Sequence, residues 1–503
     1  MNRVPDRRAG AGRIQMILGI DFGTSFSQSA TMFMDQPMLL LPPGEYGVPS
    51  AFYYDSDCGI LVGQDALDAG QGYNVANLRT EIKMELGQPF QVEDRTFSPQ
   101  EMVSEIYKTV IMRARQAAKT RMIDDTIERV VISVPAKFGV QQRSMLKECV
   151  ENCIPGEKIR VAEIIKEPVA AALAYFNTQI ENGKCILVYD LGGGTCDIAL
   201  VQADKELREY YKVIDSDMLY LGGRDWDREL SSYITKELKK KSRSKIEGNA
   251  AVEEKIRRAA VAVKHQLSDP MRSMSNARIE LNSRIHTVPV SREKFDEITR
   301  PLLQRSLDCL KRMYDKYAGE YRIDEIICVG GSSNMRQVEE NVSALFPSCT
   351  VRIYEPEHAV VYGAAIFAEG AGVQDIAQFS YGVETHDDLV NKPNHLIIEH
   401  FIRKGDLLPA SASKRFRPIR DGMRFVYFPV YETSSEERSC EKTEPDIRLI
   451  GKLQLQLPEG TGTTDVLTCS IHLNTQGLLE VVAANQRGEQ VSASFELNGI
   501  EAI

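Results

Sequence analysis

The sequence predicts a two-lobed α/β domain followed by an all-β sandwich, and three observations support this fold class. An apolar strand that ends in an aspartate and a glycine turn occurs twice, as ILGIDFGTSFSQSATMF (17–33) and ILVYDLGGGTCDIALV (186–201). The two aspartates, Asp21 and Asp190, lie about one domain length apart, so we expect two copies of one α/β unit facing each other. After Gly370 the pattern changes to short alternating segments separated by polar or glycine turns, which is typical of a β-sandwich.

Both aspartates precede a turn that suits an anion. Gly192, Gly193 and Gly194 remove side chains where the chain turns back, so backbone N–H groups form a concave site for phosphate. Asp190 and Asp197 flank this turn and are able to hold a hydrated cation beside it. A plain glycine hairpin remains the alternative for this stretch alone. The repeated plan favours a phosphate cleft with one hairpin and one carboxylate from each wall.

The composition is that of an ordinary globular protein. With 503 residues, 43% apolar and 26% charged, the chain predicts two to four domains and no global disorder. The net charge of −10 argues against nucleic acid as the main partner. No stretch approaches the ~18 apolar residues of a membrane span, and the N-terminus lacks the apolar core of a signal peptide. We therefore expect a cytoplasmic protein without membrane contact, in which the ten cysteines are free thiols.

The segments between and after the two glycine turns continue the α/β pattern. Residues 130–153 predict a buried strand, a proline-containing turn and a helix, and residues 160–176 predict a strand followed by an alanine-rich helix. The stretches LGGRDWDREL (221–230) and IICVGGSSNMRQVEENV (326–342) each place a Gly-Gly pair at a loop that opens a helix. Helix N-termini of this kind favour anionic or nucleotide groups.

Together these motifs resemble the nucleotide-binding domain of the DnaK-type, 70-kDa heat-shock chaperones, within the actin-like ATPase superfamily. The motifs occur in the family's order as GIDFGTSFS, KMELG, VISVPAKFGVQQR, IIKEPVAAALAY, DLGGGTCDIAL with LGGRDWD, and VGGSSNM with AVVYGAA. The match covers about residues 16–370. The resemblance implies two RNase-H-like lobes around a cleft that binds ATP or ADP with Mg²⁺, and K⁺ as a further cation.

The resemblance also implies the site residues. Asp21, Asp190 and Asp197 would organise Mg²⁺, mainly through water, and the attacking water, while Lys83 matches the lysine that reaches the γ-phosphate. Glu167 matches the carboxylate that, with Pro135 and Arg143, connects the nucleotide site to the outer domain surface. The implied catalytic set is Lys83, Asp21, Glu167, Asp190, Asp197 and Thr195. The implied nucleotide-binding set is Gly23, Thr24, Ser25, Gly192, Gly193, Gly194, Gly222, Gly223, Lys264, His265, Ser268, Gly330, Gly331, Ser332 and Asn334. The residues alone leave two alternatives open: Lys83 as an ordinary surface lysine, and Glu167 as a carboxylate that caps a helix.

The adenosine side departs from the family pattern. The family's adenosine helix carries glutamate, lysine, arginine and serine, whereas VAVKHQLS supplies Val261, Lys264, His265 and Ser268. Asn334 stands where the family has an arginine that stacks on the adenine. Losing guanidinium stacking and a charged hydrogen bond weakens nucleotide binding by ~1–3 kcal/mol. We therefore expect micromolar affinity, weaker than is typical of the family, and poorer discrimination between ATP and GTP.

The C-terminal segments SYGVET, GKLQLQLPEG and NTQGLLEVVAA resemble the β-sheet substrate domain of the same chaperones. The predicted units are a disordered tail (1–15), lobe I (16–185), lobe II (186–370), a linker (371–379) and the sandwich (380–503). Because the chain ends at Ile503, soon after the last predicted strand, we expect no helical lid. The linker lacks the family's leucine run, so we expect weak ATP control of the sandwich, or one fixed, docked arrangement.

These features predict a slow ATPase that acts as a chaperone. The implied partners are unfolded or extended polypeptide segments, with a J-domain co-chaperone or a nucleotide exchange factor, and no nucleic acid or membrane. Three alternatives stay open: a small-molecule kinase of the same superfamily, a filament-forming actin-like ATPase, and a degenerate scaffold that senses nucleotide.

Overall fold

The computed structural model describes residues 16–72, 74–178, 183–204, 210–241, 248–281, 284–386, 396–444 and 446–494. The predicted tail (1–15) and the end of the predicted sandwich (495–503) lie outside the described residues. None of the helices in the described ranges is long and apolar enough to cross a membrane.

Lobe I is built on a six-stranded sheet with the order β11-β10-β1-β2-β3, and β4 pairs with β2. Its strands are β1 (Met16–Phe22), β2 (Phe26–Phe33), β3 (Gln36–Leu39), β4 (Val48–Pro49), β5 (Phe52–Asp55), β6 (Gly59–Val62), β7 (Leu78–Arg79), β8 (Phe90–Val92), β9 (Arg95–Phe97), β10 (Ile127–Val134) and β11 (Arg160–Lys166). Its helices are α1 (Gln64–Gly72), α2 (Pro99–Thr120), α3 (Val140–Glu151) and α4 (Glu167–Thr178), with 3-10 turns at Val75–Asn77 and Ile82–Met84.

Lobe II is built on a six-stranded sheet with the order β18-β17-β12-β13-β14-β19. Its strands are β12 (Cys185–Leu191), β13 (Cys196–Ala203), β14 (Tyr210–Leu219), β15 (Met274–Leu281), β16 (Arg284–Ser291), β17 (Ile323–Val329), β18 (Thr350–Ile353) and β19 (Gly372–Gln374). Its helices are α5 (Gly223–Lys241), α6 (Ala250–Ser268), α7 (Arg292–Tyr317), α8 (Arg336–Leu345) and α9 (Ala359–Ala368), with a 3-10 turn at Gly331–Asn334. Strand β19 lies within the predicted linker and pairs in parallel with β14.

The two large sheets have the same plan. In each, the first strand pairs antiparallel with the second and parallel with a later strand, β10 in lobe I and β17 in lobe II. Strand β12 is buried along its whole length because helices cover both faces of its sheet: Leu187 and Tyr189 enter one apolar cluster, and Ile186 and Val188 enter another. The repeated mixed α/β sheets agree with an actin-like ATPase fold.

Helices α4 and α9 join the lobes. Helix α4 packs on β12 and β13 of lobe II, whereas α9 packs on β1 and β2 of lobe I. A Cβ on Gly19 of β1 would lie 2.5 Å from the backbone nitrogen of Ala365, so glycine there allows α9 to approach the sheet. Where the two helices cross, a Cβ on Gly363 would overlap the backbone carbonyl of Ala170. The lobes are therefore connected by two crossing helices that pack so closely that position 363 has no room for a side chain.

Gly363→Ala is expected to lower the free energy of unfolding by at least ~2 kcal/mol, because the added methyl must push two helices apart. Urea unfolding followed by circular dichroism measures the change. Gly319→Ala is the matched control, since a Cβ at Gly319 meets no heavy atom within 4 Å. Equal stability of both variants would show that the crossing adjusts without cost.

The C-terminal β unit (residues 380–494) contains two antiparallel sheets, with the orders β24-β21-β20-β23-β25 and β22-β26-β27-β28. The strands are β20 (Ser380–His386), β21 (Leu396–Ile402), β22 (Ala410–Phe416), β23 (Phe425–Thr433), β24 (Ser439–Glu441), β25 (Arg448–Gln456), β26 (Leu467–Leu473), β27 (Leu479–Ala484) and β28 (Gln490–Ser494). Alternate residues of both sheets enter one apolar core, among them Val430, Leu453, Ile471 and Val481.

Candidate functional site

The three predicted aspartates stand at the facing edges of the two large sheets. Asp21 lies near the end of β1, and Asp190 of β12 lies directly opposite Asp197 of β13 in the strand register. Two groups of lobe I hydrogen-bond two of these three carboxylates: Ser133 Oγ donates to Asp21 Oδ1 (2.6 Å), and the backbone nitrogen of Ala136 donates to Asp197 Oδ1 (2.7 Å). Asp197 therefore joins the two lobes at the base of the cleft.

Lys83 and Glu167 complete this cluster. Lys83 lies on the 3-10 turn Ile82–Met84, and its Nζ is 2.5 Å from Oε1 of Glu167, the first residue of α4. Both side chains are buried, with 3% and 8% of their surfaces exposed. Burial acts to lower the pKa of Lys83, but Glu167 and Asp21 hold it above its usual value. The lysine stays protonated because carboxylates of both lobes surround it.

The cluster carries more negative charge than one lysine can balance. Burial raises the pKa of Asp190 well above its ordinary value, and Asp197 and Asp21 add to the shift. Burial also raises the pKa of Asp197 to about 6, against the opposing effect of the Ala136 amide. Asp197 Oδ2 is buried and has no hydrogen-bond partner among the described residues. Unbalanced carboxylates and an unpaired oxygen fit a hard cation such as Mg²⁺.

The described ranges contain no set of three or more His, Cys, Asp and Glu side chains close enough to bind a metal directly. Binding of Mg²⁺ by Asp21, Asp190 and Asp197, mainly through water, stays a prediction. Thr195, at the end of the glycine turn, acts to lower the pKa of Asp197 against the effect of burial.

The two glycine hairpins meet across the cleft. A Cβ on Gly193 would lie 2.8 Å from Ser25 Oγ, and one on Gly194 would overlap Met84. Thr24 Oγ1 donates to Met84 Sδ (3.7 Å), beside Lys83. The hairpins of the two lobes are therefore in contact at Ser25 and Gly193.

The other predicted loops of lobe II converge on the second hairpin. The backbone nitrogen of Gly223 and the hydroxyl of Ser332 both donate to the carbonyl oxygen of Gly192, at 3.0 and 2.8 Å. Gly330 has a φ of 80°, and a side chain there would overlap Asp190. Gly222 leaves no room for a Cβ, which would lie 2.5 Å from the backbone of Gly193. The predicted glycines of positions 222, 223 and 330 thus border the carboxylate cluster.

The residues predicted to contact the adenosine do not form one hydrogen-bonded cluster. Lys264 Nζ donates to Asp227 Oδ2 (2.8 Å) and to the carbonyl oxygen of Gly223 (3.0 Å), so it is already paired within lobe II. Ser268 Oγ donates back to the carbonyl oxygen of Lys264 (3.0 Å), whereas His265 and Asn334 are exposed. The sequence did not predict the Lys264–Asp227 pair.

Ser133 and Ala136 are also site residues that sequence reasoning missed. The sequence did contain a signal for Ser133, its position near the end of a strand. Strand β10 runs parallel to β1, so both strands end at the same sheet edge. A polar residue near the end of a strand beside β1 is a candidate neighbour of Asp21 on that ground alone.

A second buried cluster connects the linker to lobe I. Lys166 immediately precedes Glu167, and only 1% of its side chain is exposed. Its Nζ donates to Asp375 Oδ1 (2.6 Å), to the carbonyl oxygen of Ile376 (3.1 Å) and, with the amide oriented to satisfy its neighbours, to Gln378 (2.9 Å). The three donors of the ammonium are thus matched by three acceptors of the linker. We call this cluster the linker latch.

The C-terminal β unit docks on α3 and β11 of lobe I. Arg143, predicted with Glu167 and Pro135 to connect the nucleotide site to the outer domain surface, is buried, and its Nη1 donates to the carbonyl oxygen of Gln476 (3.2 Å). Gln476 in turn donates to Ala162 of β11 (2.9 Å), and Gln141 donates to Ile450 of β25 (3.2 Å). Lys166 ends β11 and Glu167 begins α4, so the docked region and the carboxylate cluster meet at the end of β11.

Comparisons with known proteins agree on one family. A family model described as "Hsp70 protein" matches residues 77–501. A "ribosome-associated molecular chaperone" of Eremothecium gossypii is 27% identical over 519 residues, covering 93% of this chain and 80% of that protein. A "heat shock 70 kDa protein" of Emericella nidulans is 27% identical over 515 residues, covering 93% and 76%. The ribosome-associated chaperone of Zygosaccharomyces rouxii is 27% identical over 527 residues, covering 94% and 81%.

Proposed function

This chain belongs to the Hsp70 family, whose members are ATPases of the actin-like superfamily, and we propose that it is a chaperone that hydrolyses ATP to ADP and phosphate. We propose further that its C-terminal β unit binds unfolded or extended polypeptide segments. One observation carries the proposal: Lys83 lies among four carboxylates, Asp21, Glu167, Asp190 and Asp197, where the two glycine hairpins meet.

The chemistry follows from charge and position. Phosphoryl transfer needs its charges neutralised and its water oriented more than it needs covalent help. Lys83 would place its ammonium against the γ-phosphate, while Asp197 and Glu167 would orient the attacking water. Mg²⁺, held through water by Asp21, Asp190 and Asp197, would supply the charge that neutralises the phosphate oxygens. The K⁺ expected from the family resemblance stays a prediction.

The C-terminal β unit supports polypeptide binding through its architecture. We propose that its two sheets form a sandwich in which β22 and β25 are edge strands, and that an extended client segment is recognised through main-chain hydrogen bonds. A J-domain co-chaperone, a nucleotide exchange factor and a cytoplasmic location also stay predictions.

Single-turnover hydrolysis of ATP with and without an unfolded peptide tests the proposal. We expect ADP to form slowly, and the rate to change when peptide is added. Peptide binding without any ADP formation would contradict the ATPase assignment. Hydrolysis that is indifferent to every unfolded peptide would contradict the chaperone assignment.

A nucleotide-sensing scaffold is the second candidate. It is supported by the changed residues Val261, His265 and Asn334 and by the engagement of Lys264 with Asp227, which leave fewer groups for the adenosine. Tight nucleotide binding without hydrolysis in the same single-turnover experiment would favour the scaffold over the ATPase.

The adenosine side leads to a prediction on affinity. Because Lys264 is paired with Asp227 and the other contacts are reduced, we expect micromolar affinity for ATP and less than about tenfold preference over GTP. Titration calorimetry with Mg-ATP and Mg-GTP measures both quantities. His265→Arg is the matched gain-of-function variant, expected to tighten ATP binding by restoring a guanidinium. Nanomolar, strictly adenine-specific binding by the parent protein would contradict the prediction.

A further inference from the structure

Glu81, two residues before Lys83, has an unusual backbone conformation. Its φ of 59° and ψ of 25° lie in the left-handed region, which residues with a side chain rarely adopt. It precedes the 3-10 turn Ile82–Met84, and its side chain does not cap that turn. The backbone of Glu81 therefore needs support from elsewhere, and functional sites are where such conformations concentrate.

The support comes from the opposite lobe. Glu81 Oε2 accepts from Arg224 Nη1 (3.0 Å) and from Arg228 Nη2 (3.3 Å), both on α5 of lobe II. The two arginines differ in burial: 18% of the Arg224 side chain is exposed, against 61% for Arg228. A contact held by the buried arginine is screened less by water, so Arg224 is the stronger partner.

Arg224 is also hydrogen-bonded to the second glycine hairpin, the one in lobe II. Its backbone nitrogen donates to the carbonyl oxygen of Gly193 (2.9 Å), and the absence of a side chain at Gly222 keeps the two backbones in contact. Its Nε is buried without a hydrogen-bond partner among the described residues, so its guanidinium is only partly satisfied by Glu81. Movement of the second hairpin therefore moves the guanidinium that holds Glu81.

We propose that Arg224 is a positioning residue for Lys83, acting through Glu81, and that it couples closure of the two lobes to placement of the lysine ammonium. When the lobes separate, the Arg224–Glu81 pair breaks and the turn that carries Lys83 loses its support. When they close, the pair restores the turn and returns Lys83 to Glu167 and Asp21. The inference rests on the proposed ATPase function for its kinetic consequence, but not for the structural link.

Hydrolysis kinetics give the first test, with Arg224→Gln, Arg224→Lys and, as the matched control on the same carboxylate, Arg228→Gln. We expect Arg224→Gln to lower kcat about tenfold while KM for ATP changes less than about twofold, because the Lys83 ammonium stabilises the transition state more than it stabilises bound ATP. Arg224→Lys should recover at least half of the loss, and Arg228→Gln should stay within about twofold of the parent. Combining Arg224→Gln with Glu81→Gln should be no worse than either change alone, because both remove one interaction.

Chemical labelling gives a second test that needs no ATPase activity. In the parent protein Lys83 is 3% exposed and should react slowly with an amine-acylating reagent, as followed by peptide mass spectrometry. Arg224→Gln should raise that labelling at least about fivefold, whereas Arg228→Gln should not. Unchanged labelling of Lys83, or an unchanged kcat in an active parent, overturns the inference. Raised labelling in a parent that hydrolyses no ATP supports the link and contradicts the proposed function instead.

Discussion

Replacing Lys83 with methionine is expected to slow ATP hydrolysis by at least ~100-fold while the chain stays folded. Methionine keeps most of the length and packing of the side chain but removes the ammonium that lies 2.5 Å from Glu167. Glu167 can then take up a proton, because burial already raises its pKa well above the usual value. The variant therefore loses charge stabilisation of the γ-phosphate rather than its fold, and single-turnover rates at saturating Mg-ATP measure the loss.

Two further variants make this result specific. Asp190→Asn should cause a loss of similar size, because it removes one of the carboxylates assigned to hydrated Mg²⁺. Lys294→Met is the matched control: Lys294 is 37% exposed, pairs with Glu297 on the surface of α7, and should leave the rate unchanged. Parental rates in both Lys83→Met and Asp190→Asn would show that the cluster is not the catalytic centre.

The second large effect is expected at the linker latch, where Asp375→Leu should speed protease cleavage of residues 371–379 at least ~30-fold. The change leaves the buried ammonium of Lys166 without its carboxylate. Losing one partner of a buried pair costs about 3–5 kcal/mol, and the 18% exposure of the Asp375 side chain reduces this to about 2 kcal/mol, or ~30-fold in population. A low-specificity protease and peptide mass spectrometry locate and time the cleavage.

A double variant separates the charge pair from general damage. Lys166→Met combined with Asp375→Leu replaces the buried pair by apolar groups and should recover most of the protection, because such replacements are often neutral or stabilising. Glu369→Leu, on an exposed residue just before the linker, is the control and should cleave like the parent. Fast cleavage in the double variant, or none in Asp375→Leu, would show that the pair does not hold the linker.

The latch also bears on the predicted weak ATP control of the sandwich. A linker held by three hydrogen bonds from one lysine can stay docked without the apolar area of a leucine run, which favours the fixed, docked arrangement. In the parent protein we therefore expect cleavage rates in Mg-ATP and Mg-ADP to agree within about threefold. Tenfold faster release of a fluorescent peptide in ATP than in ADP would contradict weak control.

Local sequence signals were sufficient for the strand-and-turn plan and for the family. Apolar runs that end in Asp21 and Asp190, each followed by a glycine-containing turn, are readable because backbone conformation and strand burial depend on nearby residues. The same signals placed Asp197 across a hairpin from Asp190, as the strand register has it. The six ordered motifs predicted the family, and the comparisons confirm it.

The charge pairs of the site were decided only by the tertiary structure. Lys83 meets Glu167 across 84 positions, Glu81 meets Arg224 across 143, and Lys166 meets Asp375 across 209. A motif supplies the residue type at each position, but a salt bridge needs two side chains within about 4 Å, and that distance depends on how the two lobes and the linker pack. Lys264 is a further case: its pairing with Asp227 is visible only in the fold, while its role toward nucleotide stays a prediction. Sequence determines which groups are present and where the chain turns, while packing between distant segments determines which of them neutralise each other.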